Sequence, residues 1–234
     1  MVKRADLTSL FVSQVEREIF SGQYQAGDKL PPLREIARST GFSRSVINAG
    51  VVELRNKGLV NVYPRQGVIV ADWRKQGTLS ALDAMIAHDL LDLPTLTNLL
   101  DARRFIECEC AGLAAVNAGE ADIRALKEIL ALEEQAASID DKVRNDWLFH
   151  VNLCAAGGNI TYVIIINSMR TMIDTLVRRF YEQPDVYSFV TAMHRDIVTA
   201  IERADESRAS LLTLRLLRHG ENAILEQFEP AGQA

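Results

Sequence analysis

The chain has 234 residues, of which 48% are hydrophobic and 24% are charged. This composition supplies enough apolar side chains for a buried core and excludes general disorder. No apolar run approaches the roughly 20 residues of a membrane span, and the N-terminus has no signal-peptide pattern, so we expect a cytoplasmic protein without a membrane partner. Three cysteines cannot all pair, so a disulfide framework is not expected.

Charge is divided unevenly along the chain. Residues 1–75 carry 12 Lys and Arg against 7 Asp and Glu, a net charge of +5, whereas the remainder carries 14 and 24, a net charge of −10. A basic segment favours contact with a polyanion, and an acidic segment is expected to form a separate domain with a different function. We therefore predict a basic domain over 1–72, a linker over 73–79 and an acidic domain over 80–234.

The basic domain predicts three helices followed by a β-hairpin. Apolar residues recur every four positions over 8–20, and a short helix is predicted over 33–39. Ser43 is positioned as the N-cap of a third helix. Two β-rich runs, 59–63 and 68–70, then flank a basic turn. This order is typical of a winged helix-turn-helix, whose third helix enters the major groove of DNA.

The start of the third helix is polar. It reads Ser43-Arg44-Ser45, which presents hydroxyl and guanidinium groups where a recognition helix first meets phosphates and base edges. A small helical domain with ordinary surface arginines would give a similar pattern. The pattern alone therefore leaves both interpretations open.

Residues 12–70 resemble the DNA-binding domain of the GntR family of bacterial transcription regulators. The matching segments are Ala26-Gly27-Asp28-Lys29-Leu30-Pro31, Arg34-Glu35-Ile36-Ala37, Gly41-Phe42-Ser43-Arg44-Ser45-Val46, Lys57-Gly58-Leu59-Val60 and Arg65-Gln66-Gly67. The resemblance implies DNA contacts at four positions, Arg34, Arg44, Ser45 and Arg65. Three further residues complete the predicted interface, Ser43, Asn48 and Gly67.

The chain departs from the family pattern at Asn48, because an arginine usually follows the recognition-helix valine by two positions. Asparagine pairs bidentately with adenine, whereas arginine prefers guanine. We therefore expect an operator sequence that differs from those of better-known relatives.

Almost all of the acidic domain has helical periodicity. The predicted helices are 79–89, 93–117, 120–137, 140–156, 161–182, 185–203 and 206–228. The sequence contains no phosphate-binding loop, nucleophile elbow or zinc-protease motif, so an enzyme is not expected. The predicted fold class is mainly α, with an N-terminal winged helix-turn-helix and a C-terminal all-α helical bundle.

Several ionisable residues fall on otherwise apolar helix faces, where burial without a partner is costly. Arg103 lies on one such face, Asp146 and His150 share a second, and His194 and His219 interrupt two more. Histidines and a carboxylate that converge in this way suit zinc, nickel or manganese. A hydrogen-bonded core role explains any single histidine better, but the combination leaves a divalent metal site and a structural role equally open.

Residues 80–228 resemble the FCD ligand-binding domain of the FadR branch of the GntR family. The matching segments are Asp146-Trp147-Leu148-Phe149-His150, Gly157-Gly158-Asn159, Phe105-Ile106-Glu107 after Arg103, and His194-Arg195-Asp196-Ile197. The resemblance implies a divalent metal held by one aspartate and three histidines beside a small effector. We assign Arg103 and Asn159 to effector binding and four residues to the metal, Asp146, His150, His194 and His219.

The fourth metal ligand is out of register with the family. Counted from His194 without a gap, the family histidine falls near Leu216, and His219 comes three residues later. Three residues are nearly one helical turn, so a small insertion near 205–208 would restore the register and keep His219 facing inward.

These observations predict a transcription regulator, here expected to be a repressor, that binds a palindromic double-stranded DNA operator as a homodimer and is switched by a small carboxylate. A second interpretation is an acyl-CoA-responsive fatty-acid regulator without metal, because residues 71–82 and 92–100 resemble such proteins. A metal-dependent hydrolase or isomerase is a third, disfavoured by the basic domain and the lack of a general base beyond the ligands. A DNA-binding protein with a purely structural helical domain is a fourth.

Overall fold

The computed structural model describes residues 7–183 and 186–228. The chain forms two compact units, Met1–Leu91 and Asp92–Ala234. The predicted linker, 73–79, contains a short helix and the first residue of the next one, and both helices belong to the first unit. The helical content and the small hairpin confirm the predicted mainly α fold class.

The first unit has the element order of a winged helix-turn-helix. Its elements are α1 (Leu7–Phe20), α2 (Leu33–Thr40), α3 (Arg44–Asn56), β1 (Val60–Tyr63), β2 (Gly67–Val70), α4 (Trp73–Gln76) and α5 (Leu79–Ala87). The two strands are antiparallel, with Val60 opposite Val70. The core is formed by the predicted apolar face of α1, including Phe11 and Val15, packed against α3. Gly50 of α3 permits this close packing, since a Cβ atom there would overlap the ring of Phe11.

A buried carboxylate joins three parts of the first unit. Glu16 of α1 accepts a hydrogen bond from Nζ of Lys57 at 2.7 Å, and its other oxygen lies 2.8 Å from Nε2 of His88. Arg17 donates from Nε to Nδ1 of the same imidazole at 3.3 Å. Because Lys57 follows α3 and His88 follows α5, these bonds tie α5 to the helical core of the winged helix.

The second unit is entirely helical over its described residues. Its helices are α6 (Leu93–Asn117), α7 (Glu120–Glu134), α8 (Ile139–Ala156), α9 (Ile160–Ser168), α10 (Arg170–Tyr181), α11 (Val186–Glu202) and α12 (Glu206–Phe228). Helix α6 packs most extensively against α12, and α8 contacts α6, α7 and α10. The predicted helix over 161–182 is divided into α9 and α10, which meet at Met169 with a bend of 63°. Residues 184 and 185, where α11 was predicted to start, lie outside the described residues.

No single helix within residues 7–183 and 186–228 is long and apolar enough to cross a membrane. Helices α9 and α10 meet the requirements of length and composition only as a bent pair.

Candidate functional site

The seven residues predicted to contact DNA are all exposed on the first unit. Ser43 is the N-cap of α3, as predicted, and its Oγ accepts a hydrogen bond from the backbone N–H of Val46 at 3.3 Å. The hydroxyl oxygens of Ser43 and Ser45 are 2.8 Å apart. Arg44 and Asn48 follow at i,i+4 spacing, which places them on one exposed face of the helix. This face presents guanidinium, amide and hydroxyl groups together at the start of α3.

The hairpin supplies a second basic surface. Arg65 is exposed in the turn between β1 and β2 and has a φ of 65°, in the left-handed region. Gly67 has a φ of 103°, and a Cβ atom there would lie 3.2 Å from Cε of Lys29. Lys29 is exposed and thus adds a cation beside the wing that the sequence interpretation did not assign to DNA. The position of Lys29 in the turn before α2 was the feature of the sequence from which a DNA contact could have been predicted.

Three of the predicted metal ligands lie together in the second unit. Asp146 and His150, one turn apart on α8, meet His194 of α11, and one ligand atom from each lies within 4.8 Å of the others. All three side chains are buried. Their convergence follows from the packing of α8 and α11 around the interior of the bundle, where the apolar stripes of both helices face inward.

A chain of hydrogen bonds and close ionic contacts surrounds Asp146 and His150. Arg103 of α6 donates from Nε to Oε1 of Glu107 at 2.6 Å, and Oε2 of Glu107 contacts Nδ1 of His150. Nε2 of His150 lies 3.7 Å from Oδ1 of Asp146, which accepts a hydrogen bond from the hydroxyl of Tyr181 at 2.5 Å. Helices α6, α8 and α10 therefore each contribute to the site.

His194 has a separate carboxylate partner. Its Nδ1 is 2.7 Å from Oε1 of Glu133, a residue of α7, and both side chains are fully buried. The imidazole stacks on the ring of Phe149 with a centroid distance of 3.6 Å. Nε2 of His194 has no hydrogen-bond partner among the described residues. A buried nitrogen without a partner is the arrangement expected of an imidazole that can accept a metal ion.

The cluster strongly affects the ionisation of its members. Burial raises the pKa of Glu107, but Arg103 and His150 outweigh this effect and lower the pKa to about 2. Burial lowers the pKa of His150, but the carboxylates of Glu107 and Asp146 outweigh it and raise the pKa. Burial and the charge of Asp146 raise the pKa of Tyr181, which keeps its hydroxyl protonated as a donor.

His219 does not join the cluster, and the expectation that it faces the interior is wrong. Its side chain is exposed, and its ring lies 4.3 Å from that of Phe189. The turn between α11 and α12 spans only 203–205, and α12 begins at Glu206. Leu216, the position reached without a gap, is the buried residue, and three further residues rotate His219 about 60° away from it.

A small cavity of about 30 Å³ lies beside the cluster. Its volume corresponds to about two water molecules. Leu216 and other apolar side chains line most of it, and its ionisable lining residues are Arg103, Asp146, His150 and Glu221. Glu221 was not identified from the sequence, although it lies only two residues after His219 on α12.

Asn159, predicted to bind the effector, is not among the residues that line this cavity. It is the N-cap of α9, and its side-chain oxygen accepts a hydrogen bond from the backbone N–H of Thr161 at 3.1 Å. The Gly-Asn part of the motif therefore forms a helix junction in this structure.

Glu133 contacts the cluster but was not identified from the sequence. It continues the apolar stripe of Leu126 and Ile129 on α7, so a carboxylate on this buried face was the available signal.

Comparisons with known proteins agree with both units. Residues 11–70 match the family of bacterial regulatory proteins, gntR family, and residues 98–219 match the FCD domain. The chain is 27% identical over 210 residues to the Glc operon transcriptional activator of Escherichia coli (strain K12), which covers 85% of this chain and 81% of the relative. It is 22% identical over 184 residues to the fatty acid metabolism regulator protein of Shewanella sp. (strain MR-4), with coverage of 78% and 75%.

A solved structure supports the fold across almost the whole chain. It is that of Lar, which controls the expression of the Listeria monocytogenes agr system, and it has a TM-score of 0.68 at 14% identity. The alignment covers 96% of this chain and 99% of the other. The FCD match alone spans more than half of the chain, and the matched families and relatives are regulators rather than enzymes. The chain therefore belongs to the GntR family of bacterial transcription regulators, in the branch that carries an FCD domain.

Proposed function

We propose that this protein is a ligand-responsive transcription regulator whose second unit binds one divalent transition metal and a small organic acid. The observation that carries the proposal is the buried cluster of Asp146, His150 and His194 beside a cavity that contains the guanidinium of Arg103. The first unit binds a palindromic operator, and a homodimer presents two winged helices to successive half-sites.

The charges of the cluster support a divalent cation. Three carboxylates, those of Glu107, Glu133 and Asp146, are buried near one guanidinium, that of Arg103. With both imidazoles neutral, the group has a net charge of −2, and buried uncompensated charge is strongly unfavourable. A divalent ion would neutralise it. Two protonated imidazoles would do so equally, but the second nitrogen of His194 has no acceptor among the described residues for the additional proton.

The ligand set leaves room for an effector at the metal. Asp146, His150 and His194 provide three protein ligands, and Leu216 stands where a fourth was expected. Three protein ligands leave coordination positions for water or for an oxygen of the effector. The metal would supply a Lewis-acidic centre for a carboxylate group. Leu216 itself contributes only apolar surface to the adjoining cavity.

Arg103 is the group that we expect to recognise the acid. Its Nε bonds Glu107, and a guanidinium has further N–H donors that can bind a carboxylate. The cavity is far smaller than a long acyl chain and would have to widen even for a small acid, which favours a small carboxylate over an acyl-CoA. The effector would shift the dimer between conformations that fit or do not fit the operator.

Elemental analysis of protein purified without chelators, followed by a thermal-shift screen of dicarboxylates, sugar acids and acyl-CoAs, tests this proposal. We expect one equivalent of metal and stabilisation by small acids, since ligands of the native state raise Tm by mass action. Arg103→Lys keeps the charge next to Glu107 but removes the planar fork, so it should retain metal and lose the response to acid. A metal-free protein stabilised only by acyl-CoA would contradict the proposal.

A further inference from the structure

Each histidine of the cluster contacts a buried carboxylate through the same ring nitrogen. Nδ1 of His194 lies 2.7 Å from Oε1 of Glu133, and Nδ1 of His150 contacts Oε2 of Glu107. The opposite nitrogens are the ones available to the cluster. Nε2 of His150 lies 3.7 Å from Asp146, and Nε2 of His194 is buried without a hydrogen-bond partner among the described residues.

The position of the proton on each ring decides whether a metal can bind. A neutral imidazole carries one proton, and only the nitrogen without it can donate its lone pair to a metal. An ionised carboxylate can only accept a hydrogen bond, so a carboxylate next to Nδ1 requires the proton on Nδ1. The lone pair is then on Nε2.

Glu133 has no evident role in packing. It continues the apolar stripe of α7 after Leu126 and Ile129, and its side chain is fully buried. A leucine would suit such a stripe better, because burial of a carboxylate is costly unless it is paired. Among the described contacts of its side chain, the imidazole of His194 is the partner. Helix α7 supplies none of the three candidate metal ligands.

Resting on the proposed metal centre, we propose that Glu133 and Glu107 are positioning residues that hold His194 and His150 in the Nδ1–H tautomer and direct Nε2 of each ring to the metal. Glu133 acts on the ligand from α11, and Glu107 acts on the ligand from α8. Such partners in the outer coordination sphere also raise the basicity of the bound imidazole. Phe149, stacked on His194, limits rotation of the same ring.

Glu133 provides the cleaner test, because Glu107 also pairs with Arg103. Co²⁺ is titrated into the full-length apoprotein, and binding is followed by the visible absorption of the ion and by calorimetry. Glu133→Leu should lower the Co²⁺ affinity by about 10- to 100-fold. Glu133→Gln should recover most of it, because the amide oxygen still accepts a hydrogen bond from Nδ1–H.

Glu134→Gln is the matched control. Glu134 is the next residue of α7 and pairs with Arg195 of α11 at 2.7 Å, but both side chains are more than half exposed. This variant should bind Co²⁺ like the wild type. Equal affinity and equal spectra for wild type and Glu133→Leu would overturn the inference and leave the metal proposal intact. Absence of Co²⁺ binding by the wild type would overturn both.

A second measurement does not depend on the stability of any variant. In the Zn²⁺-loaded wild-type protein with ¹⁵N-labelled histidine, we expect His194 and His150 to carry their proton on Nδ1. A proton on Nε2 of His194 in that state would overturn the inference even if Glu133→Leu failed to fold.

Discussion

Glu107 is completely buried between the guanidinium of Arg103 and the imidazole of His150, which together lower its pKa to about 2. Its ordinary value is 4.5, so the ionised form stabilises the native state above about pH 4.5. This stabilisation is lost as the pH falls through 4.5 toward 2, and it amounts to about 3 kcal/mol on the usual linkage relation.

We therefore expect the free energy of unfolding of the second unit to fall steeply over this acidic range. In Glu107→Gln the fall should be smaller by about 3 kcal/mol, because the amide does not titrate. Denaturant titrations at several pH values measure the difference. Glu109→Gln, an exposed position two residues along α6, is the control and should keep the wild-type slope. A parallel slope for Glu107→Gln would contradict the assignment.

Arg44 tests the DNA interface at the same scale. It is the first residue of α3, exposed and next to the capping hydroxyl of Ser43. Arg44→Ala should weaken specific operator binding by about 1–3 kcal/mol. Gel-shift titration at fixed salt measures the loss. Arg55→Ala, at the opposite end of the same helix, should have a smaller effect, and thermal shifts caused by effectors should persist in both variants. Unchanged operator affinity in Arg44→Ala would rule out the recognition-helix assignment.

At the scale of elements, the contact of α5 with α1 includes the imidazole of His88 as well as apolar packing. His88→Ala leaves one oxygen of buried Glu16 without its partner, which should cost about 1–3 kcal/mol of stability in the first unit. In a Trp147→Phe background, the fluorescence of Trp73 follows unfolding of that unit separately. Glu18→Gln, two residues from Glu16 on α1, is the control. Equal denaturation midpoints for His88→Ala and its background would show that the contact does not stabilise the unit.

The helices also show how far sequence patterns determine this fold. Periodicity and turn residues gave α6 and α12 with the observed boundaries, since long amphipathic stripes and flanking turns agree there. The break at Met169 was missed because no glycine or proline marks it.

The candidate site divides in the same way between predictable and unpredictable parts. Asp146 and His150 share a turn of one helix, so local spacing was sufficient to bring them together. The prediction that His219 faces the interior was wrong because the direction of a side chain depends on its angular position around α12. A residue three positions after buried Leu216 is exposed to solvent. Glu133 and Tyr181 reach the cluster from other helices, and no local pattern encodes those tertiary contacts.

At the scale of the whole molecule, the metal content of two variants tests whether buried His194 or exposed His219 binds the ion. His194→Ala should lose most of its metal, because the proposed centre then retains two ligands. His219→Ala should keep a full equivalent, since its ring packs against Phe189 outside the cluster. Elemental analysis after gel filtration gives the stoichiometry. Metal loss in His219→Ala as complete as in His194→Ala would show that the fourth ligand is His219 after all.

Leu216 has a consequence for the signals that the regulator can report. A centre closed by four protein donors keeps its ion for long periods, whereas one with three donors and an apolar wall exchanges it more readily. Occupancy would then follow the supply of metal in the cell, and the response would require two inputs, ion and acid together. Leu216→His would remove the first input by retaining the ion, and would leave the acid to compete for a crowded coordination sphere. Under the proposed function, the leucine at position 216 of α12 would couple transcription to acid and metal jointly rather than to acid alone.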